Sequence, residues 1–185
     1  DEYSIKDDLR LTFGARYNHH EIFGNNVSPR AYVVYNPTNE LTLKGGVSTG
    51  FRTPYANRLI NGTYSYSGQG RFPTYGNPDL KEETSLNYEI AAIYNNDLFY
   101  VSATGFLTNF KDKISSQSYN NSEPIPGIGT CDADRCSRAI NHGKVEYKGV
   151  ELGAGISNHN KLNVNFAYTY LDTEVKEAQD RSVIG

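Results

Sequence analysis

The chain has 185 residues, a formal net charge of -3 and 37% apolar residues, with a pI near 5.8 and a mean hydropathy of -0.61. It has no Lys/Arg cluster of the kind that phosphate neutralisation needs, which excludes a nucleic-acid interface, and no apolar run is long enough for a spanning helix. Low bulk hydropathy leaves membrane-spanning strands open, because they need an apolar side chain only at every second position.

The chain opens on a strand tail, Asp1 to Ile5, and a tight turn at "KDD". From Leu9 the pattern has period two: Leu9, Leu11, Phe13, Ala15 and Tyr17 point one way, Arg10, Thr12, Gly14, Arg16 and Asn18 the other. After the polar stretch "HHEIFGNN", Pro29, Ala31, Val33 and Tyr35 alternate with Arg30, Tyr32, Val34 and Asn36. "NPTNE" turns the chain into Leu41, Leu43, Gly45, Val47 and Phe51, set against Thr42, Lys44, Gly46, Ser48 and Arg52.

A segment rich in Tyr, Gly, Arg, Pro and Asn follows, too irregular for a helix or a core strand. Alternation resumes at Leu86, Tyr88, Ile90, Ala92 and Tyr94, and "NND" leads into a strand over 98–110 whose two faces do not separate by pattern. A second polar segment covers about 115–139. Val150, Leu152, Ala154 and Ile156 then alternate with Glu151, Gly153 and Gly155. "SNHNK" precedes a last strand with Leu162, Val164, Phe166, Tyr168 and Tyr170 on one face.

These are seven or eight strands near the 9 to 11 residues that a tilted strand needs to cross a bilayer. Short and long connections alternate, the mark of an outer-membrane barrel with short turns at one end and long loops at the other. A soluble β-sandwich also has seven strands, but nothing in it places the long connections at one end. The expected fold is all-β, a segment of a large transmembrane antiparallel barrel, because an open sheet edge in hydrocarbon leaves backbone groups unpaired. Beginning inside a strand and without a leader pattern, the chain reads as a fragment or mature piece. The 15 Tyr against 8 Phe, with no Trp and no Met, suit lipid–water interfaces and binding surfaces, where an apolar ring carries a wet hydroxyl.

"STGFRTPYANRL" followed by "GNPDLKEETSLNYEIAAIY" resembles the barrels of the TonB-dependent outer-membrane receptors. "RLTFGARYNHH", "FLTNFKDKI" and "YKGVELGAGI" extend the likeness over essentially the whole chain, with Glu82 where the family usually has Pro. The loop "RLINGTYSYSGQG" and the Cys-containing loop are most similar to receptors for ferric catecholate siderophores, the ferric-enterobactin and colicin receptor group. The resemblance implies a barrel of about 22 strands filled by an N-terminal plug, in a Gram-negative outer membrane, with energy from TonB. Neither plug nor TonB box lies in these residues. Residues 1–185 are then barrel, with extracellular loops at about 52–78, 115–139 and from about 172. Outer-membrane lipids surround it, and colicins or phages are further partners of the family's loops. No resident cofactor or metal is expected, iron entering only as part of the cargo.

On this reading the loop offers Arg52, Tyr55, Arg58, Tyr64, Tyr66, Arg71 and Tyr75 to a ligand, since a ferric tris-catecholate is anionic and aromatic and calls for guanidinium charge and stacking surfaces. For each Tyr the alternative is packing within the loop or the interfacial girdle. Cys131 and Cys136 in "TCDADRCSR" are expected to form a local disulfide, because two thiolates without a well-spaced His make an incomplete metal site and the loop faces an oxidising compartment. "GVSTG" fits the G-x-S-x-G pattern, but Ser48 lies on a continuing strand with no helix after it, so no enzyme is expected. His19 and His20 are adjacent on a strand, point to opposite faces and do not chelate together. The polar faces carry charges of both signs, among them Arg10, Arg16, Arg30, Lys44, Glu89 and Glu151. Rival readings are a receptor of this architecture for haem, cobalamin or another siderophore, and a passive porin or adhesin barrel.

Overall fold

The computed structural model describes residues 1–158 and 162–177. In chain order the strands are β1 (Glu2–Lys6), β2 (Leu9–His20), β3 (Gly24–Tyr35), β4 (Leu41–Arg52), β5 (Thr63–Ser67), β6 (Phe72–Tyr75), β7 (Glu83–Asn95), β8 (Phe99–Asn120), β9 (Pro124–Ile125), β10 (Gly129–Thr130), β11 (Arg135–Asn158) and β12 (Leu162–Glu177). One turn of 3-10 helix at Ala56–Arg58 is the sole helical element among the described residues. The chain divides into two units, 1–50 with 85–109 and 146–174, and 51–84 with 110–145 and 175–185.

The first unit is a single curtain of strands in the order β1-β2-β3-β4-β7-β8-β11, with β12 on β11. Its register lines up the alternation seen in the sequence. Leu11 faces Val33, Phe13 faces Ala31 and Tyr17 faces Val27 across β2 and β3, and Ala31 faces Val47 and Tyr35 faces Leu43 across β3 and β4. On that face of the sheet the apolar residues of β2, β3 and β4 therefore meet apolar or small residues of the next strand.

Among the described residues no second layer covers that face. Gly155 alone is buried among the described residues of this unit, while Phe13 is 53%, Ile90 71% and Phe166 58% exposed. A one-layer sheet with a continuous apolar face is stable only where hydrocarbon replaces the missing layer. Tyr35, Tyr94 and Phe99 stand at strand ends, Tyr94 and Phe99 with ring centroids 5.6 Å apart, as aromatic girdles do.

The polar face is shaped by glycines. A Cβ on Gly14 would lie 2.6 Å from Arg30 Nε, and one on Gly153 would lie 2.6 Å from Ser102 Oγ. Gly153 shares a face with Glu151 and Gly155, so β8 turns Tyr100 and Ser102 to the polar side. A Cβ on Gly105 would stand 3.7 Å from Ile90 Cγ1, which sets Val101, Ala103 and Gly105 on the apolar side. That resolves the strand whose faces the pattern left open.

The second unit holds the chain's buried core. Tyr119, Ile125, Cys131 and Cys136 cluster together, with Tyr75, Ile128 and Ala133 packed against them, and Leu80, Ile114, Ala139, Ile140 and Val145 are also buried. Strands β5 and β6 form a hairpin, and β6 runs parallel to β11 through Ser137–Thr74 and Arg138–Tyr75 pairs.

Paired strands run into two of the segments expected as extracellular loops. Within 115–139, β8 continues to Asn120 and β11 begins at Arg135, with the small β9–β10 hairpin between, and β12 runs through 172 to Glu177. These extensions pair with neighbours without needing an apolar face, so no hydrophobic alternation announces them. The hairpin of β5 and β6 inside 52–78 is also new relative to the sequence pattern.

Candidate ligand-binding site

The segment after β4 is rigidly built despite its composition. Pro54 is buried, and the turn that follows is closed by Arg58 N–H to Tyr55 O at 2.9 Å and Leu59 N–H to Ala56 O at 3.2 Å. This winding brings two sequence-predicted arginines to one ring. Arg52 Cζ lies 5.5 Å and Arg58 Cζ 5.6 Å from the Tyr55 ring centroid, both within cation–π range. Tyr55 is 61% exposed. Among the described residues no carboxylate pairs with Arg52, Arg58 or Arg71, so no carboxylate there offsets their charge.

The remaining candidates divide. Tyr66 is 63% exposed on β5, and Arg71 is exposed beside the hairpin turn, where Gly68, Gln69 and Gly70 all have positive φ. Tyr64 is half-buried at the irregularity between Thr63 and Ser65. Tyr75 packs against the disulfide cluster, so its ring serves the loop core instead of standing free. Cys131 and Cys136 are joined in a disulfide, and both are almost fully buried.

The "GNPDLKEE" stretch acts as a clip. Gly76 passes so close to backbone that a Cβ there would lie 2.8 Å from Arg58 O. Asn77 N–H donates to that same carbonyl at 2.6 Å, while Asn77 Oδ1 accepts from Asp79 N–H at 3.0 Å and from Arg138 Nη2 at 3.1 Å. Leu80 is buried. Asn141 Nδ2 donates to Lys81 O at 3.0 Å and to Asp112 O at 2.7 Å, and its Oδ1 accepts from Lys81 N–H at 2.9 Å. Glu83, buried, accepts from Ile114 N–H at 2.9 Å and from Lys113 Nζ at 3.3 Å. The arginine turn is thus tied through Asn77 to β11, and the end of the clip is tied to β8.

Sequence reasoning missed Arg138, Asn141 and the roles of Asn77 and Glu83. The last two stood inside a quoted motif, whereas Arg138 in "CSRAI" carries no local signal. Ser48 accepts a hydrogen bond from Tyr32 Oη at 3.4 Å within a continuing strand, which is not the geometry of a nucleophile elbow. His19 Nδ1 lies 2.7 Å from Asn25 Oδ1, and no group of three or more potential metal ligands occurs among the described residues.

The family model described as TonB dependent receptor-like, beta-barrel, matches residues 1–184. The chain is 36% identical over 177 residues to the iron-regulated outer membrane virulence protein of Vibrio cholerae serotype O1, covering 95% of this chain and 27% of that protein. It is 33% identical over 123 residues to the ferric enterobactin receptor of Pseudomonas aeruginosa, covering 63% of this chain and 16% of that protein. The crystal structure of the siderophore receptor PirA from Pseudomonas aeruginosa superposes with a TM-score of 0.72 at 23% identity, covering 93% of this chain and 30% of that one. The chain therefore spans about a quarter of the length of the V. cholerae relative, which accounts for a sheet that does not close among the described residues. Membership places it among receptors of the Gram-negative outer membrane, not among enzymes. This chain belongs to the β-barrel of the TonB-dependent outer-membrane receptors.

Proposed function

We propose that the whole protein captures a ferric siderophore of the catecholate type at the extracellular mouth and imports it with energy delivered through TonB. The carrying observation is the Arg52–Tyr55–Arg58 group, with both guanidinium carbons within 5.6 Å of one exposed ring. Two cations held against one exposed aromatic ring offer an anionic, aromatic chelate charge neutralisation beside an aromatic surface, without the cost of first ordering three side chains. Tyr66 and Arg71 on the β5–β6 hairpin add a second exposed pair of the same chemistry. The loop from Arg52 to Asn77 contains no His, so it has no imidazole ligand for haem iron.

Binding of ferric enterobactin to the full-length receptor tests this reading, with Arg52→Ala and Arg71→Ala measured beside the wild type. Each lost charged contact is expected to weaken binding about tenfold or more, from about 1.5–3 kcal/mol per charge-assisted hydrogen bond. Unchanged affinity in both variants would remove the site. Wild-type binding of cobalamin or haem in place of ferric enterobactin would replace the cargo.

A further inference from the structure

Arg138 lies inside the loop unit with its charge uncompensated. It sits on β11 in register with Tyr75 of β6 and is only 9% exposed. Nη2 donates to Asn77 Oδ1 at 3.1 Å, but Nε is buried without an acceptor. Among the described residues no carboxylate pairs with it. A guanidinium is a fork built for two acceptor oxygens, and burying it against one neutral amide leaves most of its desolvation uncompensated.

The tip of the β9–β10 hairpin stands beside it. A Cβ on Gly127 would stand 3.4 Å from Arg138 Nη2. Gly127 and Gly129 flank Ile128 with φ of 68° and 129°, conformations that Gly alone adopts freely, and Gly129 pairs with Ile125. The foot of the hairpin is fixed, with Ile125 and Cys131 seated in the disulfide cluster. A backbone bond from Ile128 N–H to Ile125 O at 3.1 Å closes the tip. The hairpin is thus anchored at its base, Ile128 at its tip packs against the same cluster, and Gly127 lies beside a buried cation, so a swing of the tip has to lift Ile128 off the cluster.

We propose that Arg138 is a concealed anion-binding residue: the Gly127 tip swings off it, and its guanidinium takes an anionic oxygen of the cargo after capture at Arg52 and Arg58. This rests on the siderophore reading above. An anion that reaches the fork supplies the acceptors the resting structure lacks, so opening and binding favour each other.

The test uses the full-length receptor in detergent, titrated with ferric enterobactin, with thermal unfolding of the same samples. Arg138→Met is expected to weaken binding at least tenfold while leaving Tm unchanged or raised, because it removes an unpaired buried charge. Arg138→Lys, which keeps the charge and loses the fork, is expected to bind between the two. Hydrogen exchange at Gly127 to Gly129 is expected to quicken when the ligand is added. Unchanged affinity in Arg138→Met overturns the proposal, and so does weakened affinity with a lowered Tm, which would make Arg138 a brace for Asn77. Exchange at the tip that slows or stays constant on ligand addition overturns the swing. A wild-type receptor that does not bind ferric enterobactin overturns the siderophore reading and this proposal together, whereas equal binding by wild type and Arg138→Met overturns this proposal alone.

Discussion

The ring of Tyr32 on β3 lies across Gly46, its register partner on β4, so that a Cβ at Gly46 would stand 2.6 Å from Tyr32 Cγ. Tyr32 Oη also donates to Ser48 Oγ at 3.4 Å. The glycine leaves the hollow that the ring fills, which pins the register of two neighbouring strands.

Gly46→Ala is expected to destabilise the barrel by about 1–3 kcal/mol, since a rigid ring has to leave its place. Gly14→Ala is expected to cost less, because the crowded group there is the flexible stem of Arg30. Urea unfolding of the full receptor in detergent, followed by the loss of the compact form on unheated gels, ranks the two. Equal effects would mean that neither side chain matters to register.

The wall was legible in the sequence because a membrane strand must repeat one rule over its whole length. Phe13, Ala31 and Val47 follow it, and they align in register on one face. Strand β8 blurred because its polar side carries Tyr100 and Phe106 beside Ser102, so both faces look apolar. Beyond the membrane the rule lapses. The extensions of β8 and β11 are held by cross-strand bonds such as Asn141 Nδ2 to Asp112 O, 29 residues apart, which no local pattern records. In the candidate site Arg52, Tyr55 and Arg58 were identifiable as residue types, but their convergence depends on the turn at Ala56–Arg58. Arg138 was invisible, because burial of one arginine is a property of the packed unit alone.

Tyr55→Leu is expected to weaken ferric siderophore binding about 5- to 30-fold, corresponding to two exposed cation–π contacts of about 0.5–1 kcal/mol each. Tyr55→Phe keeps the ring and is expected to stay within about threefold of wild type if the hydroxyl does not contact the ligand. Titration of the full receptor distinguishes them. A Phe variant as weak as Leu would show that the hydroxyl, not the ring, carries the contact.

Glu83 anchors the end of the clip with its side chain 6% exposed and its Lys113 partner 21% exposed. Glu83→Ala removes the acceptor of the Ile114 N–H and one partner of Lys113, whose Nζ keeps the Phe110 ring at 3.8 Å, a change expected to cost about 1.5–3 kcal/mol locally. Glu83→Gln keeps an acceptor for the N–H and is expected to cost about 1–2 kcal/mol. Hydrogen exchange at Ile114 reads both. Protection at Ile114 that is the same in wild type and Glu83→Ala would show that β8 is held there by its strand partners alone.

The Cys131–Cys136 disulfide closes a short loop, with a sequence separation of 5, so its effect on the unfolded chain is small, about 2 kcal/mol by loop entropy. Its position makes that sufficient. Both sulfurs sit in the cluster with Tyr119 and Ile125 that seats the β9–β10 hairpin, and Arg135, exposed, lies within the closed loop. Reduction, or paired Cys131→Ser and Cys136→Ser, is expected to raise the rate of trypsin cleavage after Arg135 by about 10- to 30-fold, the equivalent of about 2 kcal/mol in local opening. The barrel should keep its compact form on unheated gels, because the curtain of strands β1 to β4 makes no use of this cluster. If the gel mobility collapses as well, the loop core supports the wall. If cleavage stays slow, Tyr119 and Ile125 hold the hairpin without the disulfide.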